Sequence, residues 1–454
     1  MDSVHDKTCP FFPFLSFFSV VSLAVCLFRL GPIASNSLHI TAVYVARLMI
    51  QLALLFLLAR YLGPGAYGEY AAIVALAAGL GTLSSFGVGF VVLAESARSP
   101  QAAQAALAQA VPATLLSAAL LLPLYWWFSR DVLGSTASLV SLGVIGTTEL
   151  LVMPLLTLLS QRLQGLGYVL RSQAMALLPM LLRLAGVVVC IALFSDNRLE
   201  MYALVYALAS SAGLLLALCV GAELAKLPHR LNRPQMQMLR NGSRYAAMSF
   251  TAMNPAEIDK ALALRLLGAN DAGLYALASR GMAVVTLPVS AMVVAALPRL
   301  LRDAASSPSR ASRLIVIMMA VAIAYGLAAA ALLYLAAPPL LEWALGAYYA
   351  GIGEVVAKLA LIALFMTSRH ASGTILFALG RPMLRTGIES VALVLLVLLA
   401  LLLGPRLGLN GLIAAVLASE ASMAVFAGLY LWRYVQRPLP LANAATPMIA
   451  DARE

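Results

Sequence analysis

Apolar residues run along this chain in long blocks separated by short polar stretches, at the spacing a bilayer dictates. Twelve blocks occupy 38–60, 69–95, 107–128, 133–160, 172–194, 200–224, 243–265, 273–298, 313–336, 353–378, 384–404 and 409–433. About 20 apolar residues in a helix cross about 30 Å of hydrocarbon. A helix also satisfies its own backbone where no water is present. The pattern predicts an all-α integral membrane protein with about 12 transmembrane helices. No connection is long enough to fold as a separate soluble domain. Pro112, Pro154, Pro179, Gly186 and Pro288 fall inside blocks. Such kinks are tolerated in membrane helices and are frequent where a helix moves or lines a cavity. One more apolar stretch, 11–28, lies between Lys7 and Arg29, ahead of the twelve. It reads as an extra anchoring helix, a targeting segment or an over-extended start. The lack of a clear A-x-A cleavage pattern makes a signal peptide the weakest of these.

A short motif occurs twice. Residues 60–71 and 265–276 both fit R-x-L-G-x4-G-x-Y-A, 205 positions apart. Each lies between apolar blocks and reads as the tight turn of a membrane hairpin, with Gly63 and Gly68 in one copy and Gly268 and Gly273 in the other. Tyr70 and Tyr275 are expected at headgroup level, where amphipathic rings settle. A weaker pair, Gln164-Gly165-Leu166-Gly167 and Phe377-Ala378-Leu379-Gly380, has an offset of 213. The longest basic connection, 225–242, divides six blocks from six. Because six is even, the halves share one topology, related by an axis along the membrane normal. The predicted organisation is an N-terminal extension (1–34), an N-lobe (35–224), a basic cytoplasmic linker (225–242), a C-lobe (243–434) and a cytoplasmic tail (435–454).

Composition sharpens this picture. Of 454 residues, 62% are hydrophobic and 11% charged. A soluble domain carries about 25% charged residues, so the solvent is lipid. The net charge of +11 does not point to nucleic acid, because the basic residues stand between apolar blocks. With the residues before Leu38 in the cytoplasm, sixteen basic residues fall in cytoplasmic connections against five outside. That asymmetry puts both ends of the twelve-helix body in the cytoplasm and both repeat turns outside. Cys9, Cys26, Cys190 and Cys219 are scattered through apolar context and read as small hydrophobes. They and the four histidines show no metal-ligand spacing, and no cofactor is expected.

The run 57–70, Leu-Leu-Ala-Arg-Tyr-Leu-Gly-Pro-Gly-Ala-Tyr-Gly-Glu-Tyr, resembles the first hairpin of bacterial polysaccharide exporters. These are the O-antigen and lipid-linked oligosaccharide flippases of the multidrug/oligosaccharidyl-lipid/polysaccharide (MOP) superfamily. Residues 258–268, Ile-Asp-Lys-Ala-Leu-Ala-Leu-Arg-Leu-Leu-Gly, resemble that family's seventh helix. Leu345-Gly346-Ala347-Tyr348-Tyr349 and Leu379-Gly380-Arg381-Pro382 resemble the segments flanking its tenth. The likeness covers about 35–435. Arg369 and His370 are not part of the pattern, and 1–34 have no counterpart. The resemblance implies a transporter of the bacterial inner membrane in lipopolysaccharide or related polysaccharide biosynthesis. Its cargo would be an undecaprenyl-diphosphate-linked oligosaccharide, and its partners membrane lipids, a sugar polymerase and other export-pathway proteins.

The charged residues inside the blocks are the candidates for chemistry. Each costs about 2.5–3.5 kcal/mol near the bilayer centre, so it must face a cavity, a partner or an interface. Arg47, Arg183, Lys260 and Arg280 are candidate cavity residues, because guanidinium groups make forked bonds to phosphate oxygens. Pairing with a carboxylate is the competing reading for each. Asp259 and Lys260 are adjacent, about 100° apart on a helix, and are expected to point different ways. Arg60 and Arg265 are expected to snorkel. Asp259, Glu149, Glu389, Glu420 and His370 are candidates for coupling to H+ or Na+. No G-x4-G-K-[ST] loop is present, so the energy must come from a gradient. The expected action is alternating access through a cationic central cavity. The alternatives are a drug/cation antiporter of the same superfamily, with a smaller and more acidic pocket, a membrane enzyme acting on lipid-linked sugars, and a non-transporting assembly partner. No large external loop or clustered external site favours the enzyme.

Overall fold

The computed structural model describes residues 32–224, 228, 230–253, 255–346 and 349–436. The apolar stretch 11–28, most of the predicted N-terminal extension, part of the 225–242 connection and the tail beyond 436 lie outside these residues. The helices in chain order are α1 (Pro32–Ser84), α2 (Val88–Arg98), α3 (Pro100–Trp127), α4 (Leu139–Thr147), α5 (Met153–Gly165), α6 (Val169–Leu193) and α7 (Arg198–Leu224). They continue with α8 (Met236–Met253), α9 (Pro255–Leu267), α10 (Ala269–Val285), α11 (Leu287–Ser306), α12 (Pro308–Leu345), α13 (Ile352–Ala378), α14 (Pro382–Leu407) and α15 (Leu409–Gln436). Turns of π-helix at Phe128–Val132 and Thr148–Val152 extend α3 and join α4 to α5. No strand occurs among the described residues.

Straightened, α1 would run about 80 Å at 1.5 Å per residue, far beyond one crossing of about 30 Å. It divides at Gly63, whose φ of 74° and ψ of 168° leave the helix, followed by Pro64, which brings no N–H to the ladder. Gly268, φ 79°, makes the corresponding break between α9 and α10. Nine helices among the described residues are long and apolar enough to cross a membrane. The set is compatible with twelve crossings, several being built from two consecutive helices, as α8 with α9 and α10 with α11. Met236 already opens α8, so Arg240, expected in the linker, rides on a helix.

The packing is that of a protein turned inside out. Large apolar side chains face outward along the long helices, among them Leu208, Leu332, Leu335, Leu398 and Trp343. The interior is mostly small and branched apolar residues, with tyrosines, serines and a few charges set among them. The largest apolar cluster draws on both halves, with Tyr67, Tyr70 and Ala71 of α1 joined to Tyr275, Ala276 and Leu277 of α10. Smaller clusters sit within each half, around Val92, Leu107 and Leu158 and around Val293, Ile315 and Ile375. Helix α1 packs on α6 in its own half and on α9 and α10 in the other.

Two expectations about the repeats change. Gly68 and Gly273 lie within helices, not turns, and face the opposite copy. Tyr70 and Tyr275 do not reach lipid headgroups; they are 4% and 0% exposed. The hydroxyl of Tyr275 instead donates to Asp259 Oδ2 at 2.6 Å inside the protein. A buried acceptor outcompetes the interface preference that composition alone suggests.

Candidate functional site: a layer of arginines and tyrosines between the halves

Arg183 enters from the middle of α6 and is 8% exposed. Its Nη2 donates to Ser210 Oγ at 2.7 Å and lies 3.4 Å from the Met153 sulfur. The guanidinium carbon stands 3.7 Å from the centre of the Tyr206 ring, a close cation–π contact. Its Nε is buried with no hydrogen-bond partner among the described residues. Helix α7 builds this floor through i, i+4 spacing, which puts Tyr202, Tyr206 and Ser210 on one face. The Tyr206 hydroxyl donates to Glu149, carried on the π turn between α4 and α5. Such turns re-aim side chains and recur at functional sites.

Arg280 approaches from α10, in the other half. Its guanidinium lies 5.9 Å from the centre of the Tyr70 ring and within electrostatic reach of Glu257, Glu149 and Tyr206. Tyr67 is beside it, yet its hydroxyl makes no well-aligned hydrogen bond. Between the two arginines the tyrosines form a layer. Tyr70 meets Tyr202 edge to face at 5.3 Å and Tyr206 at 6.3 Å. The hydroxyls of Tyr67 and Tyr202 are both buried and make no well-aligned hydrogen bond among the described residues, though Tyr67 lies beside Arg280 and Tyr202 beside Tyr70. Neither arginine is in a direct ion pair among the described residues. The layer is a pair of cations held on aromatic faces, with donors left over.

The fully buried charges of the C-terminal half are paired among the described residues. Lys260 and Asp259, expected to diverge, meet each other: Lys260 Nζ lies 3.2 Å from Asp259 Oδ1, and both are buried. A lysine stem is long enough to curl back over one residue, which the 100° argument overlooks. Asp259 also accepts from Ser279 at 3.2 Å. Arg369 of α13 pairs with Glu420 of α15 at 2.7 Å, and Arg385 pairs with Glu389 at 2.8 Å. Arg369, Arg385 and Glu389 line a small hollow together with Ser372, and Glu389 Oε2 is buried beside it with no hydrogen-bond partner among the described residues. His370 stands near Arg369 and Arg385.

Of the sequence candidates, the structure brings Arg183, Arg280 and Glu149 together. Lys260 and Asp259 lie apart from that layer, as do Glu389, Glu420 and His370. Arg47 is half-buried on α1, with no ion pair among the described residues. Arg60 and Arg265 are exposed. The sequence reading passed over Tyr67, Tyr202, Tyr206 and Glu257. The signal available was tyrosine at i, i+3 and i, i+4 spacing in blocks otherwise made of Ala and Leu.

Residues 33–302, more than half of the chain, match the family model described as polysaccharide biosynthesis protein. The chain belongs to this family. No curated protein sequence matches it. Among solved structures, the chain is similar to an inward-facing multidrug resistance MATE family transporter of the MOP superfamily. The identity is 14%, the TM-score 0.70, and the match covers 86% of this chain and 94% of that one. A MATE in complex with MaL6 matches at 16% identity and TM-score 0.60, with the same coverage. A MOP superfamily transporter from Pyrococcus furiosus, reported to have a binding pocket of reverse polarity that suggests a different function, matches at 16% and 0.57, again over 86% and 94%. At these identities the likeness shows the fold alone: that of a MOP superfamily membrane transporter.

Proposed function

We propose that this polysaccharide biosynthesis protein flips an undecaprenyl-diphosphate-linked oligosaccharide across the bacterial inner membrane. The physical problem is a polar head that cannot cross hydrocarbon, on a tail that need not leave it. An interface that opens sideways to lipid lets the tail stay in the bilayer while the head passes between the two halves. The observation that carries this reading is the pair of guanidinium groups, one from each half, resting on tyrosine rings instead of carboxylates. An arriving diphosphate exchanges weak ring contacts for charge-assisted bonds at both ends, drawing the halves onto the cargo. Arg47, half-buried on the segment of α1 that precedes Gly63, serves the head on its way in. Lys260, already paired with Asp259, is assigned a packing role. Glu149, which has no direct ion pair, is the coupling group for H+ or Na+; Glu389 and Glu420 each have an arginine partner.

A drug/cation antiporter is the second reading, suggested by the fold's likeness to MATE transporters. Against it, the aromatic site that would receive a cation already holds Arg183. The test is appearance of the lipid-linked glycan on the outer face in cells carrying Arg183→Ala or Arg280→Ala, at normal protein level. Losing a guanidinium–phosphate contact of about 1.5–3 kcal/mol slows flipping by roughly ten- to a hundredfold. Normal flipping by both variants, or turnover of a fluorescent cation by the parent in vesicles, refutes the proposal.

A further inference from the structure

The two halves touch through backbone at both ends of their interface. On the side expected to be external, a Cβ on Gly68 of α1 would stand 2.0 Å from Ala269 O and 2.7 Å from Gly273 N. One on Gly273 would stand 1.9 Å from Pro64 O. Beside them, Tyr349 Oη donates to Ala59 O at 3.0 Å, crossing from one half to the other. The stretch from Gly68 to Gly87 covers roughly 30 Å at helical rise, about one hydrocarbon thickness. There the halves touch again. A Cβ on Gly87 would lie 2.2 Å from Gly242 O and 2.5 Å from Ala246 N, and one on Gly242 would lie 2.4 Å from Phe86 O. Next to this contact, Phe90 of α2 stacks on Tyr245 of α8, with ring centres 5.2 Å apart and planes at 26°. In α1 Tyr67 and Tyr70 of the arginine–tyrosine layer flank Gly68, and in α10 Arg280 lies about 10 Å beyond Gly273 at helical rise, so the layer begins at the first contact and extends toward the second.

We propose that these glycine pairs are the two gates. Gly68 with Gly273 closes the external end, Gly87 with Gly242 closes the cytoplasmic end, and the protein opens by parting one pair while the other holds. Backbone-to-backbone closure explains why each contact is made by glycine: any side chain would meet a carbonyl oxygen or amide nitrogen, which cannot swing away as a flexible side chain can. The Phe90–Tyr245 stack and the Tyr349–Ala59 hydrogen bond are the latches that hold each end shut. This inference rests on the transporter fold, not on the identity of the cargo.

Gly242 and Gly273 are the positions to substitute. Both lie in ordinary helix, where a Cβ is favoured for its own sake, so only the closed gate objects. Gly87, at φ 66°, would be strained by any side chain and is left alone. With the four native cysteines replaced, two reporter pairs read the gates: Phe90→Cys with Tyr245→Cys inside, and Gly65→Cys with Asn270→Cys outside. Cross-linking by a short bifunctional thiol reagent is measured in native membranes without substrate. Gly242→Leu is expected to lower the inner cross-link about tenfold and to keep or raise the outer one, the response of a closing equilibrium shifted by that factor. Gly273→Leu is expected to do the reverse, and the retained cross-link shows in each case that the variant is folded. Parental yields at both ends in both variants overturn the proposal. If a leucine variant loses both cross-links, Gly242→Ala and Gly273→Ala decide, and equal yields at the two ends overturn it there too. Because no glycan is present, a failure here is separate from a failure of the flipping assay.

Discussion

Glu69 shows how one residue fixes a membrane connection. It follows Gly68 in the first repeat, where the second copy has Leu274, and it is 6% exposed. Its carboxylate accepts from Ser135 Oγ at 2.6 Å, Thr136 Oγ1 at 2.8 Å and Thr136 N at 3.0 Å. Three donors converge on one anion, which binds the 134–138 connection to the start of the second crossing. Glu69→Ala leaves the Thr136 amide without its acceptor and is expected to lose about 2–4 kcal/mol. Glu69→Gln keeps part of the set and should lose less. Thermal unfolding of the purified protein in detergent should rank parent, Gln and Ala in that order; equal midpoints would mean water replaces the carboxylate freely. The same charge logic, a buried anion counted by its donors, separates Glu149 from Glu389 and Glu420. The first is held by a tyrosine hydroxyl, the other two by arginines.

At the scale of elements, the break at Gly63 sets a bookkeeping problem: the carbonyls just before it lose their helical donors. Two donors from elsewhere resolve it. Tyr349, just ahead of α13, reaches Ala59 O, and Arg198 at the start of α7 reaches Tyr61 O, each at 3.0 Å. Arg198 also brings positive charge to a helix C-terminus, the favourable sign. Tyr349→Phe keeps the ring and removes only the donor to Ala59, so a destabilisation of about 1–2 kcal/mol is expected. It should appear as a lower unfolding midpoint and a weaker outer cross-link, and an unchanged cross-link would show that the hydrogen bond is not a latch. The elements themselves were legible in the sequence because both of their causes are local. Apolar blocks of bilayer length make helices, and Gly63 and Gly268 offer the positive φ that breaks them. What the broken ends bond to was not legible, since Tyr349 lies 290 residues from Ala59. Tyr70 was misplaced for the same reason. A tyrosine next to a turn looks like an interface anchor until three other tyrosines from α1 and α7 close around it. Arg183 and Arg280 stood out in the sequence because charge is rare inside a membrane; their aromatic seats did not, because tyrosine is common there.

For the whole molecule, the flipping proposal raises the question of how a gradient would act on the arginine–tyrosine layer. Glu149 lies within electrostatic reach of both Arg183 and Arg280. On the flipping reading proposed above, a diphosphate arriving at the same arginines would add at least one further negative charge beside the Glu149 carboxylate. Two anions sharing one low-dielectric site repel strongly, so binding and uptake of a cation at Glu149 must favour each other. On that reading, release of the cation on the other face would weaken the hold on the cargo and let it go. Each charge moved through the potential is worth about 2.3 kcal/mol per 100 mV, enough for roughly a fiftyfold bias in direction. Glu149→Gln removes the charge while keeping a group that can accept from Tyr206. The expected result is tighter binding of the lipid diphosphate, with flipping in vesicles that no longer responds to an imposed proton or sodium gradient but still proceeds down the lipid's own concentration gradient. A variant that the ion gradient accelerates as it does the parent would remove Glu149 from the coupling step and return the search to the hollow beside Glu389.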